Sequence, residues 1–349
     1  MTNAKEYFRF HLKSNLRAVV CILTVVLVLT LIFALYGQPS FRSVYNNDTK
    51  KFTYFDDYKS TLYIPVVFLG MLTCILPVWE FSFFKKRTNL NCVYSLPISR
   101  RALGSVHYLN GLITLFTVFT ASYLLNFILL LSRGAGFFRF GPIFAHYFLT
   151  LLVGFAMYSI MVFVFNEANT TSDGIWFMVL YCLIFWFVFM VCSSLPIFET
   201  RYDILDDLPL THWGVISKLT AHYQYLAEID YAHKAKFWST PIFVFSFIFY
   251  VVVGIASAVG LFFTFGKRRM EKTEEISDSY FGYRTLIPVY ALLGVYWAQV
   301  DGGNILGLIF TFCAFVGYTI YRRGFHYKRG DVICVIGTLV ISIIGLFTS

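Results

Sequence analysis

Long apolar runs separated by short polar ones dominate this chain. Runs at 18–36, 61–79, 109–131, 142–165, 175–196 and 241–265 are each close to the 20 or so residues that cross a bilayer as a helix. Three shorter runs follow at 286–300, 304–320 and 332–348. The seventh and eighth are divided only by Asp301-Gly302-Gly303. They either cross in turn or form a hairpin that returns to its side of entry. The pattern predicts an all-α polytopic membrane protein.

Composition supports this picture. Hydrophobic residues are 58% of the 349, charged residues 13%, and mean hydropathy is +0.68. A soluble domain carries about twice that share of charge. The net charge of +9 is best read through orientation. With the N-terminus inside, the inner segments 1–17, 80–108, 166–174, 266–284 and 321–331 hold 18 of the 28 basic residues. Acidic residues divide almost evenly, and an orientation rule that counts Lys and Arg gives this split. The C-terminus is then outside. No basic segment is free of apolar flanks, which argues against nucleic acid as a partner. Six of the seven cysteines lie in apolar runs and Cys92 lies in 80–108. No CxxC or Cys/His spacing indicates a disulfide framework or a metal site, so no metal is expected. The run after Arg17 is too long for a signal-peptide core and stays as a span.

The expected spans hold little ionisable chemistry. His146 is the one such residue placed inside them, and Glu80 sits just past the second. Ion-coupled carriers rely on buried carboxylates or histidines, so His146 is read as an interhelical hydrogen bonder. No phosphate-binding loop exists, and Gly266-Lys267-Arg268 is a membrane-exit signal. No nucleophile–base or paired-carboxylate arrangement marks an enzyme.

Two connecting segments are too structured for plain connectors. In 80–108, Trp79-Glu80 closes the second run, and aromatic residues and Lys85-Lys86-Arg87 follow. This is either an interfacial anchor with a basic flank or an emerging helix. Pro97 disfavours helix at Leu96, and Ser99 can cap a new helix that starts at Arg100-Arg101. In 197–240, Ile216, Leu219, Tyr223 and Leu226 recur at helical spacing. They predict a short amphipathic helix near 211–230, lying outside as a cap over the span ends or as a gate. Residues 37–60 read as a polar loop with a turn at Asn46-Asn47-Asp48.

Ser95-Leu96-Pro97-Ile98-Ser99-Arg100-Arg101-Ala102-Leu103, between a basic stretch and a span, resembles the coupling segment of ABC-2-type transporter permeases. The basic stretch Lys5, Arg9, Lys13 and Arg17 resembles their interfacial elbow helix. The resemblance covers about 1–265. It implies a cytosolic elbow at 1–17, a six-span permease core at 18–265 and a C-terminal extension at 266–349 with two or three membrane segments. It also implies that Glu80, Lys85, Lys86, Arg87, Leu96, Pro97, Ile98, Ser99, Arg100 and Arg101 couple to a separate ATPase subunit. That partner would bind ATP and Mg, leaving this chain non-catalytic and without a cofactor of its own. A second permease copy or a sibling permease, a bacterial cell membrane, and export of a drug, peptide, lipid or glycan complete the expectation. The alternatives are a secondary transporter or channel, or a membrane sensor or scaffold of a cell-envelope stress system.

Overall fold

The computed structural model describes residues 4–36, 40–46, 51–57, 59–89, 97–132, 140–193, 212–227, 238, 241–267, 273–300 and 304–348. The helices are α1 (Ala4–Tyr36), α2 (Lys59–Phe81), α3 (Arg100–Ser132), α4 (Phe140–Glu167), α5 (Thr171–Ser193), α6 (His212–Ala227), α7 (Pro241–Lys267), α8 (Tyr283–Val300), α9 (Asn304–Tyr321) and α10 (Arg329–Thr348). Every expected run has a helix at its place. Among the described residues, six helices are long and apolar enough to cross a membrane: α1, α2, α3, α4, α7 and α10. The described parts of α5 and α9 are shorter apolar helices. α8 carries Arg284, Pro288 and Gln299 and is not among the six. The protein is a helical, polytopic membrane protein.

Two local features differ from the sequence reading. The polar segment 37–60 contains an antiparallel hairpin, β1 (Ser40–Asn46) and β2 (Lys51–Asp57), in register from Ser40↔Asp57 to Asn46↔Lys51. Its strands are rich in Phe, Tyr, Val and Thr, which favour extended structure. Among the described residues, the fold is therefore helical with one small sheet. The stretch 1–17 is also not a separate helix, because α1 runs unbroken from Ala4 through the first span. Lys5, Arg9, Lys13 and Arg17 repeat every four residues and stay exposed along one face, so the polar start continues the helix without a break.

The chain divides into two compact units. The first comprises 1–80, 96–161 and 213–266, and the second 81–95, 162–212 and 267–349. The fifth apolar run thus shares a unit with the C-terminal helices. In the first unit, close helix approach rests on small residues. A Cβ on Gly254 of α7 would lie 2.5 Å from the Ala156 Cα of α4, so backbone meets backbone where membrane helices have little hydrophobic drive to associate. In the second unit, α5 and α8 are joined by tyrosines. Tyr283 donates to Asp173 Oδ1 at 2.7 Å, Tyr290 donates to the Leu180 carbonyl, and Phe177 meets the Tyr283 ring edge-on at 4.9 Å.

Candidate functional site

Three helices of the first unit bring ionisable side chains to one point. The start of α1 supplies His11, the end of α2 Glu80 and the start of α3 His107. Glu80 Oε2 is 3.0 Å from His11 Nε2 and 3.1 Å from His107 Nδ1. Glu80 Oε1 accepts from Asn110 Nδ2 at 2.7 Å and from Asn15 Nδ2 at 3.4 Å. Tyr7 Oη lies 3.3 Å from His107 Nε2. Glu80 and His107 are only 4% and 5% exposed, while His11 is half-buried. Gly111 leaves the room this needs, since a Cβ there would lie 2.0 Å from the Tyr158 hydroxyl and 3.3 Å from Glu80 Cγ.

The sequence reading missed His11 and His107 and placed Glu80 past its span. The signal was present on α1. Tyr7, His11 and Asn15 also repeat every four residues, two positions on from each basic residue. That offset turns them by about 200°, onto the face opposite the exposed stripe. On α3, His107, Asn110, Gly111 and Thr114 share a face in the same way, and Thr114 bonds back to the Asn110 carbonyl at 2.9 Å. The spans are thus less empty of ionisable groups than expected.

The residues expected to couple to an ATPase fall into two groups. Lys86, Arg87, Pro97, Ser99, Arg100 and Arg101 are exposed and Ile98 is half-buried. Leu96 lies outside the described residues. Ser99 Oγ accepts from Ala102 N at 3.3 Å and its carbonyl from Leu103 N at 3.0 Å, which caps the start of α3. Glu80 and Lys85, by contrast, are buried. Their charges are met inside the protein, which corrects the expectation that they face a partner. Lys85, 2% exposed, donates to the carbonyls of Phe165, at 2.8 Å, and Ala168, and its Nζ lies 4.5 Å from the Phe165 ring centroid. It closes the C-terminus of α4, where free carbonyls and the helix dipole favour a cation. The following turn is gripped again by 273–279, with Glu274 N donating to Asn169 O at 3.3 Å and Ser277 Oγ to Glu167 O at 2.7 Å.

The amphipathic helix of the 197–240 segment is α6. Ile216 and Leu219 are fully buried, Tyr223 is 7% exposed and Leu226 half-buried. His146 of α4 bridges Tyr123 at 3.0 Å and Thr220 of α6 at 3.1 Å, the interhelical bonding expected of it. Tyr63 of α2 donates to the Ser217 carbonyl at 3.3 Å. On α6 itself, burial lowers the pKa of His222 and favours the neutral ring. Within the second unit, a cavity of about 360 Å³ is lined by Leu180, Ile287, Ala291 and Phe310, with Asp173 among its few polar groups. Such a lining suits an apolar group better than an ion.

Compared with known proteins, the chain matches no family model, no curated protein and no solved structure.

Proposed function

We propose that the chain is the membrane-spanning permease subunit of an ABC transporter, exporting a hydrophobic or amphipathic compound with energy from a separate ATPase subunit. The observation that carries this reading is the exposed stretch Pro97–Arg101. It resembles the coupling segment of ABC-2 permeases and leads into a Ser99-capped helix that continues into a span. A rigid, basic helix start next to a membrane helix is a suitable lever for a soluble motor. Lys86 and Arg87, on the same 80–108 connection, are exposed as well. ATP and Mg belong to the partner, and a second permease copy or sibling completes the transporter. In this reading the N-terminus is cytosolic, the C-terminus external, and α6 is an external cap.

The test is co-purification of the full chain with an ATPase that carries a phosphate-binding loop, followed by transport assays in vesicles. Changing Pro97→Leu, or Arg100 and Arg101 both to Glu, should uncouple ATP hydrolysis from transport while the chain keeps its helical content. Wild-type coupling in both variants sinks the proposal. One observation favours a second reading. The buried Glu80 with His11 and His107 is the kind of group that ion-coupled carriers use. Transport driven by an ion gradient without ATP would select it.

A further inference from the structure

The contacts at His11 Nε2 do not close as hydrogen bonds around an ionised carboxylate. This nitrogen lies 3.0 Å from Glu80 Oε2 and 3.1 Å from Asn15 Nδ2. A neutral ring nitrogen is either donor or acceptor. Donating to Glu80, it meets the Asn15 N–H head-on. Accepting from Asn15, it turns its lone pair on a carboxylate oxygen. Turning the Asn15 amide over moves the conflict without removing it, because the amide also lies 3.4 Å from Glu80 Oε1. The cluster holds a second unmet group. Asn110 is 1% exposed, and its Oδ1 has no hydrogen-bond partner among the described residues.

A positive centre between His11 and Glu80 lets the ring lone pair and the carboxylate face one another, and leaves Asn15 to donate to Glu80 Oε1 alone. A proton serves one pair of atoms. A metal ion serves three donors at once, and three separate helices bring three donors here. One ligand atom each of His11, Glu80 and His107 lies within 4.8 Å of the others. A tetrahedral ion with bonds of about 2.0–2.1 Å sets its ligands about 3.3 Å apart. The two contacts of 3.0 and 3.1 Å to Glu80 Oε2 need to widen by a few tenths of an ångström, and the two ring nitrogens, within 4.8 Å of each other, need to close toward that spacing to accept it. His107 would bind through Nδ1 and turn its Nε2–H toward the Tyr7 oxygen. Asn110 would hold the carboxylate from behind, as the supporting groups of metal ligands do. Two imidazoles and one carboxylate suit zinc and its neighbours rather than magnesium or calcium.

We propose that His11, Glu80 and His107 form a site for one divalent transition-metal ion of the zinc class, supported by Tyr7, Asn15 and Asn110. The ion ties the start of α1 to the end of α2 and the start of α3. Three protein ligands leave a fourth position open, and the half-buried His11 offers the way in.

The test uses the full chain in detergent, stripped with a chelator and titrated with cobalt(II), then zinc. One equivalent of cobalt should give the visible absorption of a tetrahedral site, and one equivalent of zinc should displace it. Magnesium should give no displacement. His11→Gln and Glu80→Gln should weaken binding by about 100-fold or more and abolish the cobalt spectrum. Asn110→Ala should weaken it by about tenfold and keep the spectrum. His326→Gln, at an exposed position outside the cluster, should change nothing. Circular dichroism separates lost binding from lost fold. Where Glu80→Gln does not fold, the half-buried His11 carries the result. A wild-type chain that takes up no stoichiometric cobalt or zinc overturns the proposal, as does wild-type affinity in folded His11→Gln. Neither readout involves transport, so the outcome stands apart from the transporter reading.

Discussion

Replacing Lys85 with methionine tests whether a buried cation locks the end of α4. Methionine keeps the length and apolar stem of lysine and removes the charge and the donors. The carbonyls of Phe165 and Ala168 then lose the Nζ that now serves both. The Phe165 carbonyl keeps its 3.3 Å bond from Ala168 N, so losing the Lys85 donors costs about 1–3 kcal/mol in all, and loss of the cation from the helix end adds about 0.3–1 kcal/mol. Relief from keeping an ammonium group out of water offsets part of this. A net loss of about 2 kcal/mol is expected, roughly a 30-fold shift toward local opening. Hydrogen exchange reads it directly. Amides in 165–170 and 274–279 should exchange about 30-fold faster in Lys85→Met, with the α1–α3 amides unchanged. Unchanged protection would refute the clamp. Native protection together with lost ATPase binding would return Lys85 to the docking surface.

Ser99→Ala should cost about 1 kcal/mol at the start of α3, where the hydroxyl accepts from Ala102 N, and should be read as faster exchange in the first turn; unchanged exchange would mean the cap is idle. Gly254→Val should shift thermal unfolding downward, because its Cβ meets Ala156 backbone and no flexible side chain can give way; an unchanged midpoint would show that α4 and α7 can part at no cost. Cysteines placed at Ile216 and Leu219 should label far more slowly than one at exposed Arg101, since burial of such side chains is worth about 1.5–3 kcal/mol each; equal rates would show that the α6 face is open.

The membrane helices were legible because a bilayer demands long apolar runs, and few other arrangements explain so many. The Ser99 cap and the buried face of α6 were legible for local reasons. A cap is set within four residues, and a face by a repeat of three or four. The hairpin was hidden because its polar residues drew attention before its alternating aromatic ones, and pairing across 47–50 is not a local property. The His11–Glu80–His107 cluster was hidden for a stronger reason. Its members lie 69 and 27 residues apart along the chain, so no spacing rule reaches them. Each appeared as an isolated polar residue near the end of an apolar helix. Only the polar faces of α1 and α3 gave a hint, and apolar stripes are the usual thing to look for.

The small hairpin between α1 and α2 bears on how the chain enters its membrane. Ser40 faces Asp57 across the sheet, so the end of α1 and the start of α2 are held within a few residues of each other. Without the sheet, a loop of about 22 residues would have to close by chance. With it, closure starts from the four-residue connection 47–50 and zips outward. On chain-entropy grounds the difference is about 1.5 kcal/mol. Once 37–60 has crossed, the sheet therefore tethers the outer ends of the first two helices as a pair. The meeting of His11 with Glu80, at the far ends of both helices, is then a search between two helices already tethered rather than between two free ones.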